Sequence, residues 1–377
     1  MVRVRKLLLA VFFCLFVVGA AFAADDAIKI GFYNCLTGQN AFGGQLELEG
    51  VQLAMEEFPE VLGKKVELVI VDNKSDKVEA ANAVTRLIER DKVLAIIGTY
   101  ASGLAIAGGE VAEVGRIPVV ATSATNPLVT QGKKYTFRAC FIDPLQGAGA
   151  AAYAYKELGF KKAAILVDVA SDYGVGLANF FKQAFANLGG EIVSEVRYQS
   201  GDQDFTAQIT EIISKNPDIV FLPAYFAEGA IVLKQAKELG ATFRFMGGDA
   251  MDNPEMATLG GDAIEGFLYT GFAYAPDMPD MNPIAKKFTE NWYKKYPGKD
   301  PNANAALGYD SYILIIDAIT RAGSAEPEKI RDALEATKDV LTVTGTTTFD
   351  EDHNPQKDLG ILQIKDGKKQ FIGTIVP

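Results

Sequence analysis

Histidine is almost missing from this chain: His353 is the single one in 377 residues, alongside three cysteines and one tryptophan. So few nitrogen and sulfur ligands leave almost nothing from which to build a zinc centre or a His-based catalytic triad. No metal and no cofactor is therefore expected. Basic residues are also short, with 37 Lys and Arg against 48 Asp and Glu and a formal net charge of −11. Nothing across the sequence would neutralise phosphates, so a nucleic-acid partner is not expected. Long apolar runs are absent beyond the first segment. The longest uncharged stretch elsewhere, Val93–Gly109, is seventeen residues broken by glycine, serine and threonine.

The one apolar run, Leu7–Val18, follows Arg3, Arg5 and Lys6 and precedes Ala21-Phe22-Ala23. A basic start, a short apolar stretch and a small-residue box make residues 1–23 a secretory signal peptide with cleavage before Ala24. The run falls short of the ~20 residues that span a bilayer. Cys14 lacks the small residues of a lipoprotein signal before it. Removal takes away three bases and no acid, leaving 34 bases against 48 acids and a net charge of −14. Cys35 and Cys140 remain, an even number in an oxidising compartment, and either a bridge or two buried thiols fits that count.

With 49% apolar and 23% charged residues, the rest can bury sizeable cores, and its length suits two domains. From Ile28, short β-rich runs alternate with amphipathic stretches. Ile28–Phe32, Val66–Val71, Val93–Ile97 and Pro118–Ala121 read as strands; Gln45–Phe58, Lys77–Arg90 and Ser102–Val114 read as helices. The rhythm restarts after Asp143-Pro144. Gly147–Leu158, Gly176–Leu188, Phe205–Ser214 and Gly229–Leu239 then read as helices; Ala163–Val167, Glu191–Tyr198, Asp218–Leu222 and Phe243–Met246 read as strands. The tail offers helices Pro283–Tyr296, Ala303–Ala322 and Pro327–Ala336, then strands Thr344–Phe349 and Leu359–Lys365. The pattern predicts an α/β protein of two doubly wound, parallel-sheet lobes. Ligands of open parallel sheets sit beyond the carboxyl ends of the strands, and here those ends are rich in hydroxyls, glycines and aromatics.

Enzymatic motifs fail on inspection. Gly174-Val-Gly-Leu-Ala-Asn179 lacks the third glycine of a dinucleotide fingerprint, and there is no Walker lysine, nucleophile elbow or His-Glu-x-x-His. Asp350–Asn354 lacks the glycine and glutamate of a calcium loop, so an acidic turn carrying His353 is expected. No catalytic residue is assigned.

Taken in order, several segments give the mature chain a whole-length resemblance. They are Ile28-Lys-Ile-Gly-Phe, Ile97-Gly-Thr-Tyr-Ala-Ser102, Ala121-Thr-Ser-Ala-Thr-Asn-Pro127, Phe137-Arg138, Asp172-Tyr-Gly-Val-Gly-Leu177, Gln203-Asp-Phe205, Tyr225 and Phe245-Met-Gly-Gly-Asp249. The chain resembles the periplasmic substrate-binding proteins of ABC importers, within them the leucine/isoleucine/valine-binding family of type I fold. The resemblance implies lobe I at 25–142 plus 274–350 and lobe II at 143–273 plus 351–377, joined by a three-crossing hinge. It also implies a monomeric, non-enzymatic periplasmic protein that delivers a branched or other apolar amino acid to a membrane permease. A ligand sensor of the same fold for amides or short carboxylates is the alternative.

In that family Ser102 and Thr125 would hold the ligand carboxylate, and the Ser123 carbonyl and Asp249 the ammonium. Tyr173 and Tyr225 would line the second lobe. Ser102 also stands at a predicted helix start, where free N–H groups favour an anion, although a plain N-cap is the simpler role. The leucine-binding members carry glutamate at the Asp249 position. Phe42 and Tyr100 fall on what read as pocket-facing loops and would reshape the side-chain pocket.

Overall fold

The structure, a computed structural model, describes residues 27–278 and 280–375; the signal peptide expected at 1–23 lies outside them. The chain opens with β1 (Ile28–Asn34), α1 (Ala41–Glu57), β2 (Glu60–Val61), β3 (Lys64–Asp72), α2 (Lys77–Glu89), β4 (Ala95–Ile97), α3 (Ser102–Gly115), β5 (Val119–Ala121) and β6 (Thr136–Arg138). These strands form one sheet in the order β2-β3-β1-β4-β5-β6, parallel except for β2.

The chain then leaves for a second sheet. It runs through α4 (Asp143–Ala152), β7 (Lys162–Asp168), α5 (Asp172–Asn187), β8 (Glu191–Tyr198), α6 (Thr206–Lys215), β9 (Ile219–Leu222), α7 (Phe226–Glu238), β10 (Arg244–Gly247), α8 (Glu255–Gly260) and β11 (Leu268–Phe272). It returns to the first lobe as α9 (Pro283–Lys295), α10 (Ala303–Ala322), α11 (Pro327–Glu335) and the hairpin β12 (Val340–Thr342)–β13 (Gly345–Thr347). Finally β14 (Leu359–Lys365) and β15 (Lys368–Ile375) complete the second sheet, in the order β15-β14-β11-β10-β9-β7-β8. Only β14 runs against the rest, antiparallel to both its neighbours β11 and β15. The architecture is two doubly wound α/β lobes.

The first lobe is closed from behind by α10, which packs along α1 so tightly that a methyl group on Gly50 would strike the Ala305 carbonyl and one on Gly308 the Glu47 carbonyl. Phe288 and the single tryptophan, Trp292, fill the adjoining core at 0% exposure.

Sequence patterning missed β2, β6, β11, β12, β15 and α8. All but β11 and β15 are short, and alternation needs several residues to show. The expected helix at Gly147 starts at Asp143 instead. Pro144 sits in its first turn, where a missing N–H costs nothing, rather than breaking it. The acidic turn is present, with Asp350 Oδ1 accepting from the Asp352 and Asn354 amides. His353 is buried in it, stacked on Phe137 at 4.1 Å with Nδ1 3.1 Å from the Thr136 carbonyl. Asn354 bonds Thr130, and Lys357 Nζ bonds Thr342 and Thr344 at 3.0 and 2.9 Å, so these two residues contact the first lobe.

Of the two alternatives left open for the cysteines, the structure shows the second: Cys35 and Cys140 are free and buried. Burial pushes each thiol up to about 12. Protein denatured without reductant should therefore titrate two thiols per chain lacking residues 1–23, whereas native protein should react slowly. A single species with no titratable thiol would mean that the two are bridged.

Candidate functional site

The carboxyl ends of β1, β4 and β5 converge on one wall. Gly98, after β4, has φ +137°, and any side chain there would strike the Tyr33 carbonyl, so only glycine lets the loop turn to Thr99–Ser102. Asn34 ties this wall together. Its oxygen accepts from the Cys35 and Tyr100 amides at 2.8 and 3.0 Å and from the Thr99 hydroxyl at 2.8 Å. Its Nδ2 donates to Glu47 at 2.6 Å. The fully buried Glu47 carboxylate also accepts from the Thr122 and Ser123 hydroxyls.

Ser102 opens α3 without capping it; its hydroxyl accepts from the Asn126 amide at 3.2 Å. Beneath the loop, Arg138 donates to the Ala124 and Asn126 carbonyls at 2.7 and 2.9 Å and to the Thr130 hydroxyl at 2.8 Å. Thr125, held on this loop, is buried beside Asp143, whose carboxylate its hydroxyl helps to stabilise.

The facing wall belongs to the second lobe. Asp249 follows β10 and is only 4% exposed. Its Oδ1 accepts from Tyr173 Oη and Gln146 Nε2, both at 2.9 Å, and its amide donates to Gln146 Oε1 at 2.7 Å. Gln146 Nε2 also donates to Asp143 Oδ1 at 3.2 Å. Asp143 is fully buried, and the Thr125 hydroxyl and the Arg138 charge offset part of its desolvation.

Aromatic rings close the gap between the walls. Tyr225 stands 5.7 Å from the Tyr100 ring and 5.4 Å from the Tyr173 ring, and Tyr100 Oη donates to the Ala250 carbonyl at 3.4 Å. Phe42 lies in the first turn of α1 rather than on a loop, because α1 begins four residues before the periodic apolar run; it packs edge-on against Phe226 at 6.0 Å. At the rim, Lys77 pairs with Asp172 at 2.6 Å, and Asn126 Nδ2 donates to the Asp172 carbonyl at 2.8 Å. Gly174 and Gly176 are part of α5 and sit under these contacts, which gives them a packing role in place of the partial dinucleotide fingerprint. All eight predicted residues thus line or back one interlobe seam.

Glu47, Gln146, Asp143 and Arg138 were not singled out as site residues. Glu47 carried a usable signal: it falls at helical spacing with Gly43, Gly50, Val51 and Ala54, on the small-residue face of α1. Gln146 is likewise a lone amide in an Ala/Gly-rich helix.

Burial dominates the electrostatics. Desolvation raises Glu47 to about 7 and Asp249 to about 6. Desolvation, then the neighbouring Asp249 charge, raises Asp143 to about 7. Arg138 relieves Asp143 in part, while Glu47 and Asp249 are held by neutral donors. Among the described residues no group of His, Cys, Asp and Glu is placed to hold a metal ion.

Two α/β lobes meeting over such a seam define a solute-binding protein of the bilobal type. The sequence pattern described as periplasmic binding protein matches residues 27–369, and the chain belongs to that family. A Leu/Ile/Val-binding protein of Rhizobium johnstonii is 33% identical over 89% of this chain and 91% of its own length. Among solved structures, a leucine-binding protein of Thermotoga maritima is 44% identical, with a TM-score of 0.90 over 93% of this chain and 99% of that one. A branched-chain amino-acid binding protein of Streptococcus pneumoniae, in complex with isoleucine, is 33% identical, with a TM-score of 0.87 over 93% of this chain and 100% of that one.

Carboxylates raised on folding take up protons as the chain folds, so stability falls as pH rises from their unfolded values through their folded ones. For Glu47, Asp143 and Asp249 that window runs from about 4 to 7. The melting temperature of ligand-free protein should therefore rise as pH falls from 8 to 5. A melting temperature that is flat or drops over that range would mean that the three acids are already ionised.

Proposed function

We propose that this chain is exported, captures a free α-amino acid between its lobes and delivers it to the membrane permease of an ABC importer. The observation that carries the reading is the opposite chemistry of the two walls. The first presents hydroxyls and the N-terminus of α3, a helix of 14 residues; the second presents the Asp249 carboxylate. A zwitterion fits that polarity in one direction. Its carboxylate takes the Ser102 and Thr125 hydroxyls and the positive end of the α3 dipole. Its ammonium takes the Ser123 carbonyl and Asp249.

Phe42, Tyr100, Tyr173 and Tyr225 gather at the seam beside these groups, which suits an apolar ligand side chain. The leucine and isoleucine named for the relatives agree. The reading is of capture without turnover, by a monomer, in the periplasm after removal of residues 1–23. Lobe I takes about 25–142 and 274–357, and lobe II takes 143–273 and 358–377. The three crossings between them confine motion to hinge closure.

A thermal-shift screen should show stabilisation of several °C by at least one apolar L-amino acid, because a ligand that binds only the folded state raises stability by mass action. Asp249→Asn keeps the shape of the side chain without its charge and should weaken that binding roughly thirty-fold, since losing one partner of a desolvated charge pair costs about 2–5 kcal/mol. Calorimetry decides it. Affinity within threefold of the parent, or stabilisation only by carboxylates that lack an amine, would mean that Asp249 holds no ammonium.

A further inference from the structure

Gln146 lies on α4, just past the first crossing between the lobes, and is fully buried. Its side-chain amide has two N–H groups and two acceptor positions, and all four are used. Nε2 donates to Asp249 Oδ1 at 2.9 Å and Asp143 Oδ1 at 3.2 Å; Oε1 accepts from the Asp249 amide at 2.7 Å and the Thr270 hydroxyl at 2.9 Å. This pattern fixes which way the amide points. Turned over, it would aim its oxygen at two carboxylates and its NH₂ at the Asp249 N–H. No other side chain touches both the carboxylate and the main-chain amide of Asp249 among the hydrogen bonds of the described residues.

We propose that Gln146 is the positioning residue for the ligand's ammonium, holding Asp249 by both its carboxylate Oδ1 and its main-chain amide and binding Asp143 to the same side chain. The inference rests on the amino-acid reading. Three consequences follow from the geometry. Asp249 is short and sits at a strand end, so without Gln146 its carboxylate would keep only the Tyr173 hydroxyl as a side-chain donor. Glutamate at 146 would place a third carboxylate against two others. Because Gln146 joins the crossing residue Asp143 to Asp249 and to Thr270 on β11, the acid moves with the second lobe as one rigid group during closure.

A core amide with a merely structural role would loosen the whole site, whereas a positioning residue acts through Asp249 alone. Calorimetry with L-leucine on Gln146→Met, Asp249→Asn, Ser102→Ala and the two doubles containing Gln146→Met separates these. Gln146→Met should weaken binding about tenfold or more; adding it to Asp249→Asn should cost less than about threefold further, while adding it to Ser102→Ala should multiply the two losses. If Gln146→Met does not fold, Gln146→Asn withdraws the amide by one methylene and serves the same cycle. Losses that multiply in both doubles, or Gln146→Met alone within threefold of the parent, would overturn the role of Gln146 while leaving the amino-acid reading in place. A folded parent that shows no heat with L-leucine and no thermal shift with any amino acid would overturn the reading itself, and the Gln146 role with it.

Discussion

The buried carboxylate of Asp249 is the constraint around which the second wall is organised. A carboxylate withdrawn from water needs compensation, and here it comes from the Tyr173 hydroxyl and the Gln146 amide, neither of which carries charge. Neutral donors leave the acid short of full compensation, as its shift upward to about 6 shows. An ammonium placed beside it would complete the set. Incompletely compensated charge is thereby turned into affinity for a cation of the right size, and the fold tolerates the deficit because a bonded, partly protonated acid costs far less than a bare one.

The first wall solves a similar problem with a different side chain. Glu47 reaches from α1 under the ends of β1 and β5 and takes donors from Asn34, Thr122 and Ser123. Asn34 in turn fixes the loop that carries Thr99 and Tyr100. Glu47 on one lobe and Gln146 on the other are each a buried polar residue, set on a helix rich in small residues, that pins binding loops belonging to strand ends. The small residues are what allow this. Gly50 and Gly308 let α1 and α10 close to backbone distance, which draws Glu47 inward where a larger residue would hold the helix away. Satisfied polar networks of this kind rigidify a site more than apolar packing does, because each bond also fixes a direction.

The sequence carried the double α/β rhythm and the strand-end loops, because long periodic stretches such as Ala303–Ala322 are legible without tertiary knowledge. Ser102, Ser123, Thr125 and Asp249 fall just past predicted strands, but the ligand roles expected for them came from the family resemblance and not from that position. What escaped were side chains whose importance lies in their direction. Arg138 and Gln146 stand on either side of the first crossing, each bonding within its own lobe, and no local pattern reports which way a lone polar residue in a buried element points. Glu47 and Glu49 stand two residues apart on α1; one is sealed beneath the site while the other pairs with Lys299 near the surface, and only the small-residue stripe separates them. Phe42 was misplaced for a related reason. Its helix begins in Ala-Phe-Gly-Gly, where glycine content argues for a loop until packing against the second lobe is known.

Closure itself rests on contacts that are individually weak. Lys77 and Asp172 remain 54% and 38% exposed, so water and salt screen most of their attraction. The Tyr100–Tyr225 ring contact and the Asn126 bond to the Asp172 carbonyl add modest amounts. Weakness here is functional. A binding protein must open to release its cargo, so the lobe–lobe surface has to leave the closed state poised rather than locked. A ligand can move such an equilibrium only by the difference in its affinity for the two states. A zwitterion whose ends are held by different lobes has that difference built in, because either lobe alone satisfies half of it. On the proposed reading, the second half is gained only when the lobes close on the ligand.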